Sequence, residues 1–528
     1  MNAGLPSGDR WGREVERALV RGHEGLIYTR RARSLPELLD DALRWAGRTF
    51  IVEGQRRLDF QAFEHAVTRV ARRLQKLGVQ PRDRVFLLAY NSVEWLAAFW
   101  AIQRLGAVAV LGNAWWSAQE ARAALELVRP AAVLTDREGG QTVDSTFRPI
   151  DLRSLRELVD AQDAPAPFAP PPVDEDAVAI IMFSSGTTGQ AKGVMMSHRG
   201  VIANIQNLLV LTGRMPSELP LHQPGTVSLL TVPLFHLAGV QISFSTLLSG
   251  GTLVFLDGRF EPERVLELIQ RERVRVWGSI PTMVSRVLEC PQIGAYDVSS
   301  LRSIPMGGAA IPPELREKVR VAFPGVKKSV GSLYGLTEAG GVLAAGSGDD
   351  LKGRPGCVGR PLPVVEMRIA NPDAQGSGEI LARTPTVTLG YWGDDTPVCD
   401  ADGWVKTGDL GRLDDGYLYL TGRSKDIVIR GGENIACAHV EQCLQGHPDV
   451  LEVAVVALPH ADLGEEVAAV VVLRSGATVT AAGLRAHAAA HLGKFETPSR
   501  WWLRNEALPV NAAGKIAKRD LPTQWAGD

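Results

Sequence analysis

The run Ser184-Ser185-Gly186-Thr187-Thr188-Gly189-Gln190-Ala191-Lys192-Gly193 puts three glycines, four hydroxyls and one lysine into ten residues. Glycines let a backbone close around phosphate oxygens. Free N–H groups and hydroxyls then donate to those oxygens, and the ammonium adds charge. A triphosphate suits such a loop. It is not a Walker A loop, because Lys192 follows Ala191 and precedes Gly193, where that motif needs Gly-Lys-Ser/Thr. A Ser/Gly-rich surface linker accounts for the hydroxyls. It does not account for the apolar stretch Ala177–Phe183 before the run or Val194-Met195-Met196 after it.

Four later clusters carry chemistry of their own. Tyr334-Gly335-Leu336-Thr337-Glu338 brings a ring, a hydroxyl and a carboxylate together, and Gly408-Asp409-Leu410 places a carboxylate in a tight turn. Gly422-Arg423-Ser424-Lys425-Asp426 is charged and short, and Pro509–Ile516 holds Lys515 in a glycine loop. Each has a plain structural alternative: a core tyrosine, a helix-start glutamate, a turn-capping aspartate, a solvated surface lysine. His236 is equally open to reading as a core histidine. His487 and His491 share a helix face, but Ala488 stands where HExxH needs Glu, so they read as surface histidines without a zinc ion.

The elements that must hold these groups are legible in part. Ala177–Phe183 is short, continuous and bounded by breakers, which predicts a buried strand. Val85–Leu88, a helix capped by Asn91 or Ser92, and Ala107–Leu111 predict a βαβ unit and a mostly parallel sheet. Ala164–Pro172 contains five prolines and reads as a connector. A second α/β stretch covers about 201–330. From Gly353 to Thr421, Asp402-Gly403 and Asp415-Gly416 signal hairpins of a β-rich subdomain. After Gly422 the pattern is α+β: helices at Val440–Leu444 and Ala481–His491, strands at Val450–Leu458, Val467–Leu473 and Trp501–Leu503.

The chain has 528 residues, net charge −2 and 22% charged residues. That length needs more than one domain. The charge gives no reason to expect nucleic acid or an anionic membrane as partner. No stretch nears the ~18 apolar residues of a membrane span. Five cysteines without a CxxC pair suit a reducing, cytoplasmic compartment.

The five clusters, in this order, resemble the acyl-adenylate-forming superfamily, most closely its bacterial fatty-acyl-CoA synthetases. The resemblance runs from about Leu35 to Leu521. It implies an α/β fold: a large N-terminal domain (1–422) of two α/β subdomains plus a β-rich subdomain, then a small α+β C-terminal domain (423–528) joined by a hinge. It implies ATP, Mg²⁺ and coenzyme A. The loop is similar to [ST]SGTTGxPKG, with Ala191 in place of the usual proline.

Carried over, the resemblance gives each residue a role. Ser184, Ser185, Gly186, Thr187, Thr188, Gly189 and Lys192 would bind the β- and γ-phosphates. Gly308, Ala309 and Ala310 would line the adenine and acyl site. Tyr334 would stack on adenine, with Gly335 beside it. Thr337 would bind the α-phosphate, and Glu338 with Thr187 would hold Mg²⁺. Asp409 would accept the ribose hydroxyls with help from Arg423. Lys515 would reach the α-phosphate and substrate carboxylate, Lys425 would be the hinge, and Gly431 and Gly432 would line the pantetheine channel. His236 would stand at the acyl and pantetheine tunnel. A carboxylate attacking a phosphate brings anions together, so cations must gather there; removing one such group costs ~10²–10³ in rate.

Phe235, His236, Val240, Gln241, Trp277, Gly278, Ser279, Met283 and Met306–Ala309 are the expected acyl wall. It lacks a charge for an amine or second carboxylate, and Gly278, Gly307 and Gly308 leave room. A lipid-like or bulky apolar acid is therefore expected as substrate, with a homodimer as a further option. Rival readings are an acyl-AMP ligase that loads a carrier protein, a luciferase-like adenylating protein, and a P-loop NTPase.

Overall fold

The computed structural model describes residues 10–136, 143, 145–147, 149–184, 192–256, 258–307, 311, 313–326, 330–354, 356–423, 426–430, 433–460, 463–492, 496–510 and 516–527. Among these, three large sheets and the two-stranded pair Val15–Val20 with His23–Tyr28 build the large N-terminal part, and one sheet builds the C-terminal part.

The first sheet has seven strands. Arg84–Leu88 lies inside it, flanked by Val108–Leu111 and Ala132–Thr135 in parallel. Val178–Ser184 joins parallel to Val108–Leu111, and Lys192–Ser197 returns antiparallel beside it. The expected βαβ unit is present. Its helix, Val93–Arg104, is capped by Ser92, whose side chain accepts from the Trp95 amide. Asn91 has a different task, described below. The helix is buried on every side, which explains its lack of a polar face.

The second sheet orders Val276–Gly278, Val227–Leu230, Thr252–Phe255, Thr49–Glu53 and Arg56–Asp59. The third has eight strands, from Ile304–Gly307 and Val330–Leu336 through Gly341–Gly346 to Val405–Asp414 and Glu366–Ala370. Asp415-Gly416 forms the expected two-residue turn, with both φ positive and Asp414 paired to Tyr417. The fourth sheet, from Ile427 onward, pairs Val450–His460 with Gly464–Leu473 and adds Arg500–Arg504 in parallel. Helices Cys437–Gln445 and Ala481–His491 cover its core of Val440, Val453, Val455, Leu484 and Trp501.

No helix among the described residues is long and apolar enough to cross a membrane. All five cysteines are free thiols.

Candidate active site

Ser184 and Lys192 are register partners across the antiparallel pair, so the ends of the glycine-rich loop are one strand spacing apart. Ser185, Gly186, Thr187, Thr188, Gly189 and Ala191 lie outside the described residues, as does the side chain of Ser184. Lys192 is half-buried. Its Nζ stands 4.7 Å from the centre of the Tyr391 ring and 3.9 Å from Asp394 Oδ2. The Tyr391 phenol in turn hydrogen-bonds Glu338; burial, then the charge of Glu338, pushes its pKa up to about 12. Cation, ring and carboxylate thus form a row, in which the cation–π contact is favourable.

A strap, residues 384–392, holds this row together. The Leu389 amide donates to Met195 O (2.8 Å), the Trp392 amide to Gly193 O (2.7 Å), and Thr388 Oγ1 to Met195 O (2.6 Å). On its other side the Thr388 amide donates to Glu338 O (3.1 Å) and Thr386 Oγ1 to Ala339 O (2.5 Å). The strap ends as strand Gly390–Tyr391, which pairs with Val194 and Met195. Glu338 sits in the turn Thr337–Gly340, followed by a strand, so the helix-start reading of this glutamate does not apply. Gly340 has φ +73°, and a Cβ there would lie 1.7 Å from Thr386 O. Only glycine lets the strap approach this closely.

Tyr334 lies in strand Val330–Leu336, and its phenol donates to Asp409 Oδ2 at 2.8 Å. Both are buried, at 7% and 5% exposure. The carboxylate therefore fixes the edge of the ring. Asp409 is not in a tight turn, contrary to the sequence expectation. It lies within strand Val405–Asp414, in register with Arg423, and the positive φ of Gly408 precedes it. Pairing across the sheet overrides the local turn signal. The side chain of Arg423 is outside the described residues. Gly335, opposite Val342 at a register shift, has a Cβ position only 2.0 Å from Gly341 O.

His236, expected from the sequence at the acyl wall, is the N-cap residue of helix Leu237–Leu248. Its ring is 4.8 Å from Phe235, which packs edge-on to Trp115 at 5.2 Å. Asn91 anchors this corner from the first sheet. It donates to Val232 O (2.9 Å) and accepts from the Leu234 amide (2.7 Å). From the same helix Gln241 Nε2 donates to Asn204 Oδ1 (2.6 Å), and Asn204 Nδ2 donates to Val342 O (3.2 Å). A buried polar relay thus joins helix Leu237–Leu248 to the strand opposite Gly335. Two features of the expected wall differ. The space over Gly278 is taken by Ile242 Cδ1, 2.6 Å from a Cβ placed there, so this glycine serves helix packing and leaves no room. Trp277 and Met306 are fully buried in the core, with Trp277 Nε1 donating to Thr231 Oγ1. Ser279 Oγ is buried and has no hydrogen-bond partner among the described residues.

Lys515, Lys425, Gly431, Gly432, Gly308, Ala309 and Ala310 lie outside the described residues. What frames Lys515 is described: Val510 bridges Ile516, and the Ala517 amide donates to Pro509 O (2.7 Å). Lys518 then reaches Asp426 Oδ2 and Glu441 Oε1, each at 2.7 Å. Burial opposes its charge, but Glu441 and Asp426 outweigh burial and hold the ammonium above the usual lysine pKa. Arg474 meets Glu289, across from the N-terminal part, at 3.1 Å.

The model of the AMP-binding enzyme family matches residues 38–392, and that of the AMP-binding enzyme C-terminal domain matches 439–515. The chain belongs to the AMP-binding enzyme family. It is 33% identical over 483 residues to a feruloyl-CoA synthase of Amycolatopsis sp, covering 90% of this chain and 95% of that one. It is 31% identical over 500 residues to an indoleacetate–CoA ligase of Aromatoleum aromaticum, covering 90% and 94%. Among solved structures, ATP-bound MatB from Rhodopseudomonas palustris superposes with a TM-score of 0.84 at 28% identity, covering 93% and 99%. Like its family, this AMP-binding enzyme uses ATP and Mg²⁺. A hard cation fits the site on chemical grounds: Glu338 offers carboxylate oxygen, and magnesium takes one or two carboxylates plus phosphate oxygens.

Sequence reasoning missed Tyr391, the strap threonines, Asn91 as an anchor and Lys518. The alternating Thr384, Thr386 and Thr388 before Gly390-Tyr391 were the available signal for the strap.

Proposed function

We propose that this AMP-binding enzyme joins an apolar, ring-bearing carboxylic acid to coenzyme A in two steps. The acid's carboxylate attacks the α-phosphorus of ATP, giving acyl-AMP and pyrophosphate. The thiol of CoA then attacks the acyl carbon, AMP leaves, and the thioester remains. One observation carries the reading: two paired constellations, Tyr334 with Asp409 and Glu338 with Tyr391 and Lys192, meet around one turn and one hairpin. The first suits adenine and ribose, and the second suits phosphates.

In this scheme Asp409 accepts from the ribose, Tyr334 stacks on adenine, and Lys192 with the hairpin loop holds the β- and γ-phosphates. Glu338 holds Mg²⁺, which supplies positive charge to the phosphate oxygens. Thr337 and Lys515 meet the α-phosphate. Residues 423–528 turn about Lys425 between the two steps, which requires the Arg474–Glu289 pair to part. His236 and Phe235 border the acyl group, and Gly431 and Gly432 border the pantetheine arm.

The ring-bearing acid is supported by two points. The acids for which both relatives are named carry rings. Ser279 Oγ, buried and without a partner among the described residues, favours an acid with a hydroxyl or carbonyl on its ring. The lipid-like half of the expectation keeps one point in its favour, a fatty acyl-CoA synthetase of Mycobacterium tuberculosis that superposes with a TM-score of 0.71 at 27% identity. We place the enzyme in the cytoplasm, where five free thiols persist, and a homodimer is one outcome for its size in solution.

A panel of ring acids and straight-chain fatty acids, read by pyrophosphate release and then by thioester formation, tests the proposal. Hydroxylated or oxo ring acids should react best, and Ser279→Ala should lower their rate while sparing unsubstituted analogues. Preference for fatty acids would reject the substrate class. Thioester formed only on a carrier protein would reject CoA as acceptor, and ADP as product would reject adenylation. Lys515→Ala should lose adenylation but still convert a supplied acyl-adenylate.

A further inference from the structure

The two histidines that read as surface residues have a third partner that the sequence spacing hides. Helix Ala481–His491 carries His487 and His491, and helix Cys437–Gln445 carries Cys443. Cys443 Sγ and one ring nitrogen from each histidine all lie within 4.8 Å of one another. Cys443 and His487 are half-buried, and His491 is exposed, so an ion could enter from solvent.

The hydrogen bonds fix which nitrogen each ring can offer. His487 Nε2 donates to Cys443 O at 3.0 Å, which leaves Nδ1 with its lone pair. His491 Nδ1 donates to His487 O at 2.8 Å, which leaves Nε2. Carbonyl bonds of this kind are what set tautomer and orientation in metal-bound histidines. A fourth candidate, His447, packs edge-on to His487 with ring centres 5.1 Å apart. It is excluded as placed. Its Nδ1 accepts from the Asp449 amide at 3.2 Å, so the neutral ring carries its proton on Nε2.

We propose that Cys443, His487 and His491 form a site for a thiophilic divalent transition metal, Zn²⁺ foremost, with a solvent molecule in the fourth position. One thiolate and two imidazoles select zinc, cobalt or nickel over magnesium. Tetrahedral bonds of about 2.0–2.3 Å set ligand atoms ~3.3–3.7 Å apart, so closing the site takes rotamer adjustment at the exposed His491. The ion joins the two helices that cover the C-terminal sheet. It stands apart from the Tyr334–Asp409 and Glu338–Tyr391 groups, so its effect is on the stability of the C-terminal unit and not on phosphate chemistry.

The test uses the full chain without an affinity tag, stripped by a chelator and desalted. Zn²⁺ is titrated in competition with a chromophoric chelator, and Co²⁺ is followed by absorption. One equivalent of Zn²⁺ should bind, and Co²⁺ should give a thiolate-to-metal charge-transfer band in the near ultraviolet. Cys443→Ser should remove that band, and His487→Gln or His491→Gln should weaken Zn²⁺ by ~100-fold or more, one ligand's share of such a site. His447→Gln should bind as wild type. Circular dichroism checks that each variant is folded. The wild-type cobalt spectrum stands independently of any variant. Less than half an equivalent bound, no charge-transfer band, or unchanged binding in Cys443→Ser would overturn the proposal.

Discussion

Tyr334→Phe separates the two tasks assigned to one side chain. The substitution keeps the ring and deletes the hydroxyl that donates to Asp409 at 2.8 Å in a buried setting. A hydrogen bond to a charged group is worth ~1.5–3 kcal/mol. At about 1.4 kcal/mol per decade, that is roughly a 10–150-fold loss if the carboxylate loses its orientation toward the ribose. In the proposed scheme the interaction belongs to nucleotide binding and not to the transition state alone. The loss should therefore raise the KM for ATP and leave kcat within a few-fold. The free enzyme loses the same bond, so its melting temperature should fall by ~3–6 °C, at ~2 °C per kcal/mol for a large domain. Tyr334→Ala also removes stacking, a further ~1–3 kcal/mol. The assay is pyrophosphate release against ATP concentration, paired with thermal denaturation. An unchanged KM and melting temperature in Tyr334→Phe would refute the orienting role. Equal defects in the Phe and Ala variants would refute stacking.

Lys518→Ala leaves Asp426 and Glu441 facing each other in a half-buried place, which costs ~1–3 kcal/mol, between the cost for an exposed pair and that for a buried one. The C-terminal unit should melt earlier by that amount, and adenylation should fall with it; an unchanged melt contradicts the assignment. Gly340→Ala must displace the strap, so it should cut adenylation ~10–100-fold by loosening Glu338. Gly22→Ala, with φ +87° and open space around it, should cost only ~1–2 kcal/mol of backbone strain and no activity. Burial lowers the pKa of His198 to about 4, while its Nδ1 accepts from the Leu35 amide. Between pH 4 and 6.5 the unfolded chain then binds the extra proton, so this residue's contribution is present above pH 6.5 and lost as pH falls toward 4. The stability difference between wild type and His198→Gln should accordingly shrink by about 3 kcal/mol from pH 7 to pH 4, and a pH-independent difference would count against it.

What was legible in the sequence was local. Helix Ala481–His491 and strand Val178–Ser184 follow from periodicity and bounding breakers, and Ser92 as a cap follows from its side chain. The order of the clusters gave the family, because motif spacing survives where tertiary contacts do not show. What escaped was long-range. Asn91 anchors a corner some 140 residues away, Tyr391 reaches Glu338, and Cys443 meets His487 across a helix pair; none of these leaves a periodic trace. Gly408-Asp409 signalled a turn by composition, but the partner strand around Arg423 decides its conformation. Gly278 suggested an open pocket, but whether a missing Cβ is filled by substrate or by Ile242 depends on where helix Leu237–Leu248 lies.

The strap has a consequence for synthesis. Among the described residues, strand Lys192–Ser197 has one edge closed only by Gly390–Tyr391. About 195 residues separate Ser197 from Trp392, so at roughly 5–20 residues per second that edge stays open for ~10–40 s while the ribosome continues. Throughout this interval the nascent first sheet presents unpaired N–H and C=O groups along Val194 and Met195, a template for pairing with another chain. Closing that edge and seating Glu338 are one event, so the growing chain assembles the Lys192–Tyr391–Glu338 row and loses its sticky edge together.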